Sequence, residues 1–127
     1  MAAPSPAPVN ETCFFPKGHV YIADKLPPDL PYLDLHCKSK DDDLGKQTLT
    51  IDGIFHFSFC ENPFSTVFYC QFWWNGKTVG FNVYEWDMAK YYCKFYDCYY
   101  EARADGIYFS GYYPPRDMMK WADWPPA

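Results

Sequence analysis

Apolar and polar residues alternate with a period of two along most of the chain, which is the pattern of strands that bury one face. Lys17 to Asp24 alternates in this way, with Val20 and Ile22 on one face. Tyr32 to Ser39 alternates again and places Cys37 on its apolar face. We therefore predict two strands near the start of the chain, with Cys37 directed inward.

Three Asx-Gly dipeptides interrupt the later apolar segments. Such pairs tolerate the positive φ angles of two-residue hairpin turns. We expect hairpins in which Asp52-Gly53 joins 47–51 to 54–60, Asn75-Gly76 joins 66–74 to 78–86, and Asp105-Gly106 joins 96–102 to 107–112. About eight short strands without a long amphipathic helix predict an all-β fold, an antiparallel β-sandwich.

The length of 127 residues suits one domain with a single core. We expect residues 1–16 to form a flexible lead-in, 17–113 the β-sandwich domain, and 114–127 a C-terminal tail that packs on the domain. Two tryptophans in the tail require covering, and its prolines leave room for one helical turn.

Composition narrows the class of partner. The formal charge of −5 argues against nucleic acid, which is bound mainly by dense Lys and Arg. The 11 Phe, 5 Trp and 12 Tyr predict a core built from rings. No apolar run approaches the ~18 residues of a membrane span. We expect the protein to be a monomer. No basic and apolar leader follows Met1, so we expect a secreted form to have lost its signal peptide.

Six cysteines indicate an oxidising compartment. They lack the paired CxxC spacing of zinc sites, so a disulfide framework is the better interpretation. A sequon at Asn10 is a candidate glycosylation site and favours the same secreted, extracellular location. The cysteines are Cys13, Cys37, Cys60, Cys70, Cys93 and Cys98.

Candidate catalytic and metal-binding residues lack the spacings that such sites use. The histidines form no HxH or HxxxH pair, no Gly-x-Ser-x-Gly elbow is present, and the acidic run lacks the features of a calcium loop. We therefore expect no enzyme, no metal and no cofactor. The residues weighed are His19, His36 and His56 for a metal, Asp41 to Asp43 for a hard cation, Ser39 with His36 and Asp43 as a nucleophilic triad, and Glu61, Glu85 and Glu101 as candidates for a glycosidase pair.

The order of several motifs resembles that of the plant self-incompatibility S-protein homologue family. The stretch HCKSKDDDLG at 36–45 is highly specific in combination with the cysteines after it. It follows HVYI at 19–22 and precedes FHFSF at 55–59 and TVFYCQFWW at 66–74. FNVY, Cys93, Cys98 and DGIY at 105–108 continue the match, so the resemblance covers about residues 19 to 121.

This resemblance implies a small secreted plant protein with an eight-stranded β-sandwich and two disulfides, and it brings no enzymatic activity. Some members are stigma-secreted signals that a pollen membrane receptor recognises to reject self pollen. Tyr100 stands where the family usually has Trp, and Cys13 and Cys60 lie outside the family's four cysteines.

The parity of the strands suggests how the cysteines pair. Cys37 and Cys70 both lie on inward faces, so each could reach across the core toward the region of Cys93 and Cys98. We therefore hypothesise the bridges Cys37–Cys98 and Cys70–Cys93. For Cys13 and Cys60 two alternatives stay open, a third bridge or two unpaired thiols.

Binding is the expected activity, and the partner is the open question. The leading hypothesis is a recognition ligand that signals through a cell-surface receptor protein. The alternative is an extracellular protein that binds cell-wall carbohydrate, or acts in defence, through exposed rings. The candidate partner-binding residues are Trp74, Asn75, Lys77 and Trp86.

Overall fold

The computed structural model describes residues 13–62 and 65–126, which form nine strands, one short α-helix and a 3-10 turn. The strands are β1 Lys17–Asp24, β2 Leu33–Lys38, β3 Asp43–Leu49, β4 Ile54–Cys60, β5 Val67–Trp74, β6 Lys77–Glu85, β7 Asp97–Arg103, β8 Gly106–Ser110 and β9 Met119–Ala122. Helix α1 is Trp86–Tyr92, and the 3-10 turn is Lys94–Tyr96.

The strands form two sheets. One has the order β4-β1-β7-β8-β9, and the other has the order β3-β2-β5-β6. Every pair is antiparallel except β1 with β7, which run parallel. The predicted all-β sandwich is therefore confirmed, with nine strands where about eight were expected.

The core lies between the two sheets and is rich in rings, as the composition indicates. Val20 and Ile22 on β1 are fully buried, like Leu35 on β2. Phe57 and Phe68 pack across from each other with ring centroids 5.0 Å apart. Strand alternation thus places the apolar half of each strand against the opposite sheet.

Two of the three predicted hairpins are confirmed. Asn75 and Gly76 have φ angles of 52° and 71°, and the turn joins β5 to β6. Strands β7 and β8 also form a hairpin, with the turn one residue earlier than expected, at 104–105.

The predicted hairpin at Asp52-Gly53 is wrong, because β3 pairs with β2 whereas β4 pairs with β1. The Asp52 N–H donates to the Asp24 carbonyl at 2.8 Å, and the Asp24 N–H donates to the Gly53 carbonyl at 3.0 Å. These bonds attach the turn to the end of β1. The chain therefore crosses here from one sheet to the other.

The helical expectations also need correction. The tail forms strand β9 rather than a helical turn, because β8 offers it an edge with free backbone groups. Trp124 in the same tail is buried and donates its indole N–H to the Arg103 carbonyl at 2.8 Å. Helix α1 starts at Trp86, where the sequence predicted strand, since seven residues are too few to show a helical period.

The three disulfides are Cys13–Cys60, Cys37–Cys70 and Cys93–Cys98. The hypothesised bridges Cys37–Cys98 and Cys70–Cys93 are therefore wrong. Both Cys37 and Cys70 are buried as predicted, yet they lie on adjacent strands of one sheet and not on opposite sides of the core. The candidate glycosylation site Asn10 lies outside the described residues, as does most of the predicted lead-in.

Candidate functional surfaces

The serine, histidine and aspartate weighed as a triad have structural roles in a loop. The His36 Nε2 atom lies 2.6 Å from Asp43 Oδ1, and this bond holds the pKa of the Asp43 carboxyl below its usual value. The Ser39 hydroxyl instead accepts the Asp42 N–H at 3.1 Å. The hydroxyl thus caps a turn, which is a common role of serine beside an acidic run.

The three glutamates weighed as a catalytic pair have separate partners. Glu61 accepts the hydroxyl of Tyr84 in the core, and burial raises the pKa of its carboxyl. Glu101 accepts a hydrogen bond from the Arg103 guanidinium at 2.7 Å. Glu85 accepts one from the Asn82 side-chain amide at 3.5 Å. Each carboxylate therefore belongs to its own local network.

A stack of rings covers part of the outer face of the five-stranded sheet. Tyr21 stacks on His56 and on Tyr113, with centroid separations of 4.4 and 3.8 Å. The His19 Nδ1 atom lies 3.1 Å from His56 Nε2. Within residues 13–62 and 65–126, no group of three His, Cys, Asp or Glu side chains could hold a metal ion.

The structure divides the predicted partner-binding residues between opposite ends of β6. Asn75 and Lys77 lie at its start with Trp74, and Trp86 follows its last residue. A strand of nine residues is about 27 Å long. The four residues therefore cannot form one compact contact, and the two ends are described here as the Asn75 end and the Trp86 end.

At the Asn75 end, Trp74 is mainly a core residue. Its side chain is 7% exposed, packs on Trp124 and donates its indole N–H to the Leu30 carbonyl at 2.8 Å. Asn75 is exposed in the turn, and the Lys77 Nζ atom lies 6.0 Å from the Trp74 ring centroid. At this end, Asn75 and the half-buried Lys77 are thus more accessible than Trp74.

An open cleft of about 300 Å³ lies beside this turn. Tyr32, with 61% of its surface exposed, forms one wall, and the half-buried Trp73 lies near it. Sequence reasoning did not select Tyr32 as a binding residue, although it is the first residue of a predicted strand. The complete lining is Tyr32, Asp34, Trp73, Trp74, Asn75, Gly76, Lys77 and Thr78.

At the Trp86 end, large rings are exposed on and after helix α1. Trp86 itself is half-buried and stacks on Tyr96 with centroids 5.8 Å apart. Phe95 is 89% exposed and Tyr91 is 78% exposed. Exposed aromatic side chains that lie close together mark interaction surfaces more often than exposed single ones.

Phe95 lies at the tip of a short loop closed by the Cys93–Cys98 bridge. This segment, Cys93 to Cys98, is called here the Phe95 loop. Phe95 and Tyr96 have φ angles of 52° and 60°, in the left-handed region that bulky residues seldom occupy. The disulfide, five residues apart in sequence, closes the loop around these two residues.

A second cavity, of about 310 Å³, borders the Phe95 loop. Two cations, Lys94 and Arg116, line it, and the Arg116 guanidinium lies 3.9 Å from the centroid of Tyr112. Asp97 also lines this cavity, and burial raises the pKa of its carboxyl. The sequence signal for this site is the Phe-Tyr pair between two closely spaced cysteines.

The sequence of this chain matches that of a known protein family over most of its length. The profile of the family described as plant self-incompatibility protein S1 matches residues 19–124. Among the described residues, no helix is both long enough and apolar enough to cross a membrane.

Proteins from Arabidopsis thaliana are similar to this chain in sequence. S-protein homolog 5 is 38% identical over 77 residues, which are 60% of this chain and 59% of that protein. S-protein homolog 29 is 34% identical over 98 residues, 76% of this chain and 70% of that protein. The matched region thus spans about 60% of the length of S-protein homolog 5.

A solved structure shares the fold. It is described as an SPH (Self-Incompatibility Protein Homologue) protein, from a widespread family of small, highly stable, secreted proteins from plants. The TM-score is 0.66 at 24% identity, and the match covers 85% of this chain and 94% of the other. With the family profile matching most of the sandwich, this chain belongs to the plant self-incompatibility protein S1 family of S-protein homologues.

Proposed function

We propose that this protein is a secreted, non-enzymatic ligand that binds a receptor protein on the cell surface through its Trp86 end. The observation that carries the proposal is Phe95, a large apolar ring that is 89% exposed in a left-handed backbone conformation. Such a conformation costs a bulky residue about 1–2 kcal/mol, and the fold gains little burial from this ring in return. A partner that covers the Phe95 ring would bury its apolar surface, and this burial would offset the conformational cost.

The surroundings of Phe95 suit a protein partner. Tyr91 and Tyr92 are exposed on the preceding helix, and the cations Lys94 and Arg116 line the same cavity as Phe95. Aromatic residues and arginine dominate the energetically important centres of protein interfaces. The disulfide restricts the Phe95 loop before binding, which lowers the entropy lost when a complex forms.

Secretion is supported by chemistry and by family. The described residues contain three disulfides. Disulfides persist in oxidising compartments and are rare in the cytosol. The solved relative is described as secreted, and S-protein homologues resemble this chain over most of its length. A ligand that works outside the cell fits both facts.

Binding to wall-free plant protoplasts tests the proposal. Fluorescently labelled protein is titrated onto protoplasts before and after mild proteolysis of their surface, with reduced and alkylated protein as the unfolded control. We expect saturable binding that excess unlabelled protein displaces and that proteolysis removes. Binding that survives proteolysis, or that never saturates, would exclude a protein receptor.

A further inference from the structure

We propose that the cleft at the Asn75 end is a carbohydrate-binding site for neutral, β-linked hexopyranose units such as those of cell-wall glucans. This site is independent of the receptor surface proposed above, because the length of β6 separates the two ends. The inference starts from the outer face of the four-stranded sheet.

One straight row of side chains crosses all four strands of this sheet. Asp34 on β2 lies opposite both Thr48 on β3 and Trp73 on β5. Trp73 in turn lies opposite Thr78 on β6. Four neighbouring strands span about 14 Å, so the row is as long as a short oligosaccharide.

The polar groups of this row are held in place by one another. The Thr48 hydroxyl donates to Asp34 Oδ1 at 2.5 Å. The Gln71 amide contacts the Thr78 hydroxyl from the adjacent row. These hydrogen bonds hold the side chains of the row in place before a ligand arrives. Such preorganised side chains lose less conformational entropy on binding.

An aromatic wall completes the site. Tyr32 is 61% exposed and borders the cleft together with Trp73. A hexopyranose with equatorial hydroxyl groups has a flat C–H face that packs on such rings and a rim of hydroxyls that bond to polar groups. Asp34, Asn75 and Thr78 supply acceptors and donors around the rings.

The size and charge of the cleft favour this ligand over others. About 300 Å³ is at the lower limit of ligand-site volumes, which suits one or two sugar rings better than a folded partner. One anion, Asp34, and one cation, Lys77, line the cleft, and a second cation, Lys46, lies with its Nζ atom 4.8 Å from the centroid of Trp73. The site thus carries charges of both signs and no dense cluster of one sign that would select an ionic ligand. An uncharged polar ligand with an apolar face matches this lining.

Isothermal titration of the whole protein with cellohexaose tests the site. We expect saturable binding, accompanied by quenching of tryptophan fluorescence that Trp73→Phe reduces. Tyr32→Ala should weaken the affinity about tenfold or more, because it removes the exposed stacking surface. Asp34→Asn keeps the shape of the side chain and should weaken binding through its hydrogen bonds alone.

Phe95→Ala is the matched control, since it removes an exposed ring at the other end of the molecule and should leave cellohexaose affinity unchanged. Affinity should also be constant when salt is raised several-fold, because the ligand is neutral. Absence of saturable binding, equal affinity of Tyr32→Ala and the unmodified protein, or tighter binding of polygalacturonate with strong salt dependence would each overturn the proposal.

Discussion

Cys37 and Cys70 are bonded directly across two neighbouring strands of the same sheet, with their Cα atoms 4.0 Å apart. This bridge therefore fastens β2 to β5 and does not join the two sheets. Cys93–Cys98 closes a local loop, and Cys13–Cys60 attaches the segment before β1 to the end of β4. Apolar packing, together with hydrogen bonds such as the one from the Tyr100 hydroxyl on β7 to the Val83 carbonyl on β6 at 2.7 Å, holds the two sheets face to face.

The bridges should differ in their contribution to stability. The sequence separations are 47 residues for Cys13–Cys60, 33 for Cys37–Cys70 and 5 for Cys93–Cys98. In the loop-entropy account, removal by paired alanine substitution costs about 4 kcal/mol for each of the first two and about 2 kcal/mol for the third. Urea unfolding of the three double variants measures this order, and a larger cost for Cys93–Cys98 than for Cys37–Cys70 would contradict it.

Tyr84→Phe should destabilise the protein by about 1–3 kcal/mol, because it removes the hydroxyl that donates a hydrogen bond to the buried Glu61 carboxyl. Tyr108→Phe is the matched control. It removes a hydroxyl that donates to the exposed Asp105 carboxylate at 2.7 Å and should cost less than about 0.5 kcal/mol. Chemical unfolding of both variants checks the difference, and equal costs would show that the buried bond has no special weight.

Trp124→Ala should cost about 3–5 kcal/mol, since this tail residue is buried against Trp74. Tyr91→Ala removes a ring that is 78% exposed and serves as the control, with little expected effect. A thermal or urea transition of Trp124→Ala that matches the unmodified protein would mean that the tail is dispensable for stability.

The stability of the protein should fall as the pH is lowered from about 7.5 to 6. Burial, and then the nearby His19, lowers the pKa of the His56 imidazole from its usual 6.5, although Asp97 opposes this. The unfolded chain therefore binds more protons in this range, and acidification favours unfolding. Tyr21 and His19 are the rings that contact His56 directly.

His56→Gln should flatten this part of the pH profile, which urea unfolding at several pH values measures. Buried carboxyls act with the opposite sign, because the raised pKa values of Asp24, Glu61 and Asp97 make the folded state bind protons first. These carboxyls affect stability in a lower pH range, nearer to the ordinary pKa values of carboxyl groups. An unchanged slope between pH 7.5 and 6 in the variant would rule out His56 as the cause.

Local features could be predicted from the sequence because they depend on short-range patterns. The period of two located β1 with its exact bounds, and Asn75-Gly76 marked a hairpin because positive φ is required at both residues. Strand partners were harder, since Asp52-Gly53 has the same local signal but its backbone bonds to β1. Turn chemistry does not specify which sheet receives the next strand.

The same limit applies to the candidate sites. Inward parity of Cys37 and Cys70 was predictable, but their bond depends on β2 and β5 being neighbours, which is a property of the whole fold. Trp86 and Asn75 are near in sequence yet lie at opposite ends of a strand. The exposure of Phe95 follows from a left-handed loop that alternation cannot reveal.

The central claim is that a receptor protein binds the Trp86 end, and one pair of variants tests it most directly. Phe95→Ala removes the exposed ring of the Phe95 loop, and Ile54→Ala removes a 47% exposed apolar side chain at the other end of the sandwich. With both variants shown to be folded by circular dichroism, their binding to wall-free protoplasts is compared with that of the unmodified protein. The account predicts a loss of affinity of about tenfold or more for Phe95→Ala and none for Ile54→Ala; unchanged binding of Phe95→Ala would contradict it.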